Sequence, residues 1–202
     1  SFSFTSLAEK ILSIEGGAAV QTLSDAGRAV LVRRALEELQ DNVHYYYRHR
    51  RSAAFCQMAA ETINELKSAG LSGQQLAQLA GACGAESGKL RELALIFQGY
   101  ETLLARSGMD PSDRLELAGA RLEEALARHE LPAFLQERAV FIDEFDTFNA
   151  PKKRLLGAML AALPSVTVAL CDDGAPLLPG DLSLFSGAKQ VAAQLRQLAR
   201  KN

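Results

Sequence analysis

Up to about residue 130 the apolar side chains recur at three- and four-residue spacing, and the breaks between runs carry capping chemistry instead of hairpin signals. This pattern predicts an all-helical first part. Thr5 or Ser6 is placed to cap a first helix through Ile14, which Gly16-Gly17 stops. Ser24 opens a second, with Val30, Leu31, Ala35, Leu36 and Leu39 as its apolar stripe and Arg28, Arg33, Arg34, Glu37 and Glu38 on the wet face. A third runs from about Ser52 to Ser68 on Phe55, Ala59, Ile63 and Leu66, and stops at Gly70. Ser72 begins a short fourth through Leu79, closed by Gly81 and Gly84. From Ser87 to Arg106, Leu90, Leu93, Ile96 or Phe97, Tyr100 and Leu104 mark a long fifth, and Asp110-Pro111 starts a sixth that carries Leu115, Leu122 and Leu126 to Arg128.

After Pro132 the period changes. Ala139-Val140-Phe141-Ile142 is a short unbroken apolar run ending at Asp143-Glu144, as expected of a buried parallel strand. A helix from Pro151 to Leu163 follows, then Val166 to Leu170 as a second buried strand before Asp172-Asp173. The expected unit is β-α-β, with both acidic pairs at the carboxyl ends of the strands, where open α/β sheets place their ligands. A Pro/Gly-rich loop, Gly174 to Gly180, leads to a last helix from about Leu184 to Arg200. Two strands alone leave edges that are expected to pair with something further. The fold class is thus mainly α joined to a piece of α/β.

Composition narrows the function classes. With 48% hydrophobic and 23% charged residues the chain is that of an ordinary folded globular protein. Its 22 basic and 24 acidic side chains nearly cancel, so nucleic acid has to be met by a local basic surface and not by a global field. Cys56, Cys83 and Cys171 form no CxxC pair, which fits a reducing cytoplasm and implies no metal, and His44, His49 and His129 have no partners at ligand spacing. No apolar run approaches the roughly 20 residues needed to cross a bilayer, so no membrane association and a cytoplasmic location are expected. The chain opens on Ser1 and not Met, as expected of a piece of a longer polypeptide.

Three segments carry candidate chemistry. An Asp at the end of a buried strand can reach the Mg²⁺ on bound phosphates while the following Glu polarises the attacking water, which makes Asp143 and Glu144 the sharpest candidates. Acids after a strand are equally common as caps and solvated turns. A phosphate-cradling GxxxxGK[ST] is not found: Gly88-Lys89 is preceded by Cys83 at the position that needs glycine and followed by Leu90, so it reads as a helix start. On this reading the chain alone holds no cofactor and hydrolyses no ATP. In His44 to Arg51, aromatic rings alternate with guanidinium groups, which suits a single-stranded DNA groove through Tyr45, Tyr47, Arg48, Arg50 and Arg51; the alternative is a basic helix end with packed tyrosines. Lys152-Lys153-Arg154 could touch phosphate or lie on a solvated first turn.

Ser3 to Ala8, Glu65 to Leu71, Lys89 to Tyr100 with Asp110 to Asp113, Phe141 to Phe148 and Val166 to Asp173 together give the chain a resemblance to the AddB/RexB-type member of the bacterial AddAB/RexAB helicase-nuclease, a relative of superfamily I helicases. The resemblance implies that residues 1–131 are a helical insertion domain and residues 132–202 a partial RecA-like, P-loop NTPase-type segment. Asp143 and Glu144 then match the Walker B positions, with Asp172 and Asp173 the acids of the second strand. Two departures stand out: Asp146-Thr147-Phe148 replaces Gln-Asp-Thr, and Cys171-Asp172-Asp173 lacks the phosphate-sensing Gly-Asp-x-x-Gln. Many relatives carry Gly where this chain has Glu144. The resemblance further implies DNA and an A subunit as partners, a role in recombinational double-strand-break repair, and Mg and ATP as ligands of the intact parent only; neither the family's nuclease nor its iron-sulfur cysteines have a counterpart here. A helicase-inactive DNA scaffold, part of an active helicase core and a helical protein-interaction module without a DNA role are the functions to be separated.

Overall fold

A computed structural model describes residues 1–82, 87–145, 147–180 and 182–201. Cys83, Gly84, Asp146 and the helix stop and motif departure assigned to them lie outside the described residues. The chain forms two compact units, residues 19–114, and residues 1–18 together with 115–202.

In the unit of residues 19–114, α2 (Asp25–Glu38), α3 (Ala53–Ser68), α4 (Gly73–Ala82) and α5 (Ser87–Ser107) pack around one apolar core, with a single 3₁₀ turn at Tyr47–His49. Ser24 and Ser52 cap α2 and α3 by accepting the N–H of Gly27 and Phe55. Val32, Ala35, Leu36, Ile63, Ile96, Phe97 and Tyr100 fill the core, and each large side chain so buried contributes about 1.5–3 kcal/mol. Gly99 lets α5 approach α2 closely, because a Cβ there would stand 3.2–3.3 Å from Leu39 and Ala35. The ends of the unit are tied together where Leu23 N donates to Met109 O and Met109 N to Gln21 O.

Two assignments on α2 are corrected. Val30 is 62% exposed while Val32 is fully buried, and Arg28 is buried instead of wet. The apolar face is rotated toward Leu31, Val32, Ala35 and Leu36, and Arg28 follows it inward, toward the charge of the buried Asp110, while its guanidinium also donates to the exposed Asp25 at 2.6 Å. A long aliphatic stem with a paired head tolerates that position.

In the other unit, α1 (Phe4–Glu15), most of α6 (Pro111–Ala127), α7 (Ala150–Ala162) and α8 (Ser186–Ala199) accompany two strands, β1 (Ala139–Ile142) and β2 (Ser165–Val168). α1 begins earlier than expected, since Ser3 is the cap and Ser6 returns the bond to the Ser3 N–H. Its buried face of Phe4, Ala8, Ile11 and Leu12 belongs to the same core as Leu122, Leu155, Leu156 and Met159. β1 and β2 are parallel, with Ala139 opposite Ser165 and Ile142 opposite Val168.

The β-α-β connection is as expected, but the strands are not buried on both faces. Val140, Ile142, Val166 and Val168 pack on the core, whereas Ala139, Ser165 and Thr167 are exposed and Phe141 is 77% exposed. An apolar run cannot reveal this, because Phe141 reads as core in sequence and is left bare by the absence of a second covering layer among the described residues. β2 also stops at Val168, two residues before the end assigned from Leu170. The architecture is therefore mainly helical with a small two-stranded parallel sheet.

Candidate nucleotide and nucleic-acid surfaces

Parallel pairing brings the carboxyl ends of β1 and β2 to one rim. Asp143 and Glu144 directly follow β1, and Asp172-Asp173 lie four residues beyond β2. All four carboxylates are exposed. The Asp143 side chain accepts the Glu144 N–H at 2.8 Å, and Asp172 accepts the Asp173 N–H at 2.7 Å, so both pairs begin as tight acidic turns. Asp143, Glu144 and Asp172 have no cationic partner among the described residues.

Asp173 differs. It receives Lys189 Nζ from α8 at 2.9 Å and the Ala175 N–H at 2.9 Å, and the Lys189 side chain is only 5% exposed. The Lys189 hydrogen bond first, then that of Ala175, hold the Asp173 carboxyl below the usual carboxylate range. Its role in this fold is to anchor α8 to the loop after β2. With a lowered folded pKa, that contribution is present at neutral pH and is lost as pH falls through the acidic range.

Glu144 sits at φ 65°, in the left-handed region that favours glycine. Holding a side chain there costs about 1–2 kcal/mol, partly offset in a glycine by its looser unfolded chain. Glu144→Gly is therefore expected to leave stability unchanged or raise it by up to about 1 kcal/mol, read as the midpoint of urea unfolding. A loss of more than about 1 kcal/mol would show instead that the Glu144 side chain stabilises the turn.

A groove of about 880 Å³ runs beside this rim, lined by Phe2, Phe134, Arg138, Phe141, Asp143 and Glu144 among others. The three cations at the start of α7 are already engaged. Lys152 Nζ lies 5.1 Å from the centre of the Phe145 ring and 5.7 Å from that of Phe4, Lys153 donates to Gln194, and Arg154 binds Glu116 and Glu123. The hydrogen bonds that Arg154 donates to Glu123, and then to Glu116, raise its pKa further. The Lys152-Lys153-Arg154 run is thus committed to intramolecular contacts. Two unpaired exposed carboxylates, Asp143 and Glu144, have the chemistry to bind a hydrated Mg²⁺, which takes one or two carboxylates and keeps several waters. No group of three or more potential metal ligands occurs among the described residues.

The aromatic and basic segment lies in the other unit and is organised by a residue that sequence reasoning missed. Glu92 on α5 is 8% exposed and accepts the N–H groups of His44, Tyr45 and Tyr46 at 2.8–3.3 Å. Its sequence signal is a charge four residues before Ile96, on the core-facing stripe of α5. The segment is a turn followed by the 3₁₀ element, not the end of a long helix. Tyr46 stacks on Phe55, and Arg50 lies 4.0 Å over the Tyr47 ring while donating to the Tyr47 carbonyl. Tyr45 is 53% exposed with Lys89 Nζ 6.0 Å from its ring centre, while Arg48 donates to His49. The five candidates thus split: Tyr45 and Arg48 are each exposed outside the notch, Tyr47 is a platform under Arg50, and Arg50 and Arg51 line a separate notch with Arg33.

Comparison with known proteins adds the evolutionary setting. The family model described as "ADDB, N-terminal" matches residues 1–202. The chain is 32% identical to a protein of Desulforudis audaxviator over 99% of its length, 32% identical to one of Moorella thermoacetica over 98%, and 26% identical to one of Listeria innocua over 100%. Each is named as the B subunit of an ATP-dependent helicase/deoxyribonuclease, and the chain spans only 17% of each. No helix among the described residues is long and apolar enough to cross a membrane.

Proposed function

Starting from a chain that belongs to the ADDB N-terminal family, we propose that it is the N-terminal part of the B subunit of an ATP-dependent helicase/deoxyribonuclease. In this reading the assembly acts in recombinational repair of DNA double-strand breaks, with an A subunit as partner. The chain serves as a DNA-engaging scaffold, and its β1-α7-β2 unit is a piece of a RecA-like core that has lost motor function. The observation that carries the scaffold reading is the Asp173–Lys189 contact: the acid that follows the second strand is engaged in anchoring α8.

When bound in the intact protein, Mg²⁺ with ATP would supply charge neutralisation on the phosphates. Asp143 would hold the metal, directly or through water, and Glu144 would orient a water. DNA is met on the helical unit through the basic and aromatic segment of residues 44–51, where exposed cations neutralise phosphate and rings offer stacking faces.

The test is the double variant Asp143→Asn, Glu144→Gln in the complete two-subunit complex, read by ATP hydrolysis and duplex unwinding. The scaffold reading expects rates within about twofold of the parent, because the A subunit does the work. Loss of a group that activates the attacking water typically costs on the order of 10²-fold or more, and a fall of that size would replace the scaffold reading by an active motor.

A further inference from the structure

The helical unit contains a cationic notch of about 360 Å³ between the start of α2 and the start of α3. Arg33, Arg50 and Arg51 line it, and Ala26, Ala29 and Val30 form an apolar wall. Val30 is 62% exposed, so the apolar wall is open to a ligand. The acids nearby are accounted for. Asp25, also in the lining, is paired with Arg28 at 2.6 Å, and Glu37 takes only the Nε of Arg33 at 3.0 Å.

The three arginines are prepared to different degrees. Arg50 is held by its stack on Tyr47 and by its bond to the Tyr47 carbonyl, and the Arg50 carbonyl in turn accepts the Cys56 thiol at 3.6 Å. Arg33 keeps both terminal nitrogens free of hydrogen bonds, and Arg51 has no hydrogen bond or ion pair among the described residues. A guanidinium fork fixed in place loses little freedom on meeting an oxyanion, and planar bidentate donors match phosphate. The volume falls within the range of small-ligand sites, and the apolar wall beside the cations can take a sugar or base edge.

We propose that this notch seats one phosphodiester of single-stranded DNA, with Arg33, Arg50 and Arg51 on the phosphate and the Ala26–Ala29–Val30 wall against the attached nucleoside. The inference rests on the DNA-engaging reading and places the main phosphate contact on the Arg50 and Arg51 side of the segment. It also adds Arg33, which lies outside residues 44–51.

The experiment measures binding of a fluorescent oligo-dT to the chain across a salt series. The parent is compared with Arg33→Gln, Arg51→Gln and with Tyr45→Ala, Arg48→Gln; circular dichroism verifies that each remains helical, as exposed arginines should allow. The notch predicts that the first double variant binds about tenfold or more weakly, and that the slope of log K against log salt falls by at most about 0.7, the share of the one phosphate the notch neutralises. The second double variant leaves the notch arginines in place and should lose clearly less, about threefold. If the first double variant binds like the parent, or the second loses as much as the first, the notch is overturned while the DNA reading stands. If the parent itself fails to bind oligo-dT at low salt, the DNA reading falls and the notch falls with it.

Discussion

Asp110→Ala is expected to cost the chain about 3–5 kcal/mol of unfolding free energy, a large part of the 5–15 kcal/mol typical of a folded protein. Asp110 is fully buried, accepts the Tyr100 hydroxyl at 2.6 Å and binds Lys67 Nζ at 2.9 Å. Alanine would leave a phenol without its acceptor and would remove one of the two carboxylates on a lysine whose side chain is only 11% exposed; Asp113 would remain as the other. Tyr100→Phe is the milder comparison, because Asp110 retains Lys67, and a loss of about 1 kcal/mol is expected. Urea unfolding of both variants checks the ranking, and equal losses would sink the idea that the buried charge dominates. Burial first, and then the Asp110 bond, push the Tyr100 pKa well above its ordinary value. A raised folded pKa means that this contribution is complete below the unfolded tyrosine value of about 10 and declines as pH rises beyond it. Alkaline destabilisation should therefore be smaller in Tyr100→Phe than in the parent.

Glu92→Ala is the second large effect, about 2–3 kcal/mol. The loss strands three consecutive N–H groups, of His44, Tyr45 and Tyr46, and each orphaned donor costs free energy in proportion to how poorly water reaches it. Because His44 and Tyr45 are on the exposed side, the total stays below three full penalties. Glu92→Gln keeps one carbonyl oxygen and should recover about half of the loss. Amide hydrogen exchange at residues 44–46 is the specific readout: these amides should exchange much faster in Glu92→Ala, and unchanged protection would mean that Glu92 does not hold the turn.

Most helices are legible in the chain because their signals are local. Ser24 and Ser52 cap where expected, and Ile96, Phe97, Tyr100 and Leu104 on α5 are buried as their spacing implies. Asn149 ahead of Pro151 opens α7 by the same logic. Misreadings occur where a residue's fate depends on a neighbour distant in sequence. Arg28 goes inward, Val30 outward, and Phe141 stays bare although it stands in the middle of an apolar run. The acidic pairs are visible as types, but only the fold distinguishes Asp173, tied to Lys189, from Asp143 and Glu144. The segment of residues 44–51 is visible as chemistry, yet its division into a Tyr45 side and an Arg50–Arg51 side depends on Glu92, Phe55 and Tyr47.

Periodicity, capping residues and acids after an apolar run are written in the order of the amino acids, and they suffice for a mainly helical chain with a β-α-β segment and for its family. Tertiary structure alone decided which charges are engaged inside the fold and which remain available at the surface. The physical reason is that helix and strand signals act over a few residues, whereas the state of a carboxylate or guanidinium is set by whatever partner and solvent the folded chain brings to it from outside that range, as with Lys189 for Asp173 and with Glu92 and the turn 48 residues before it.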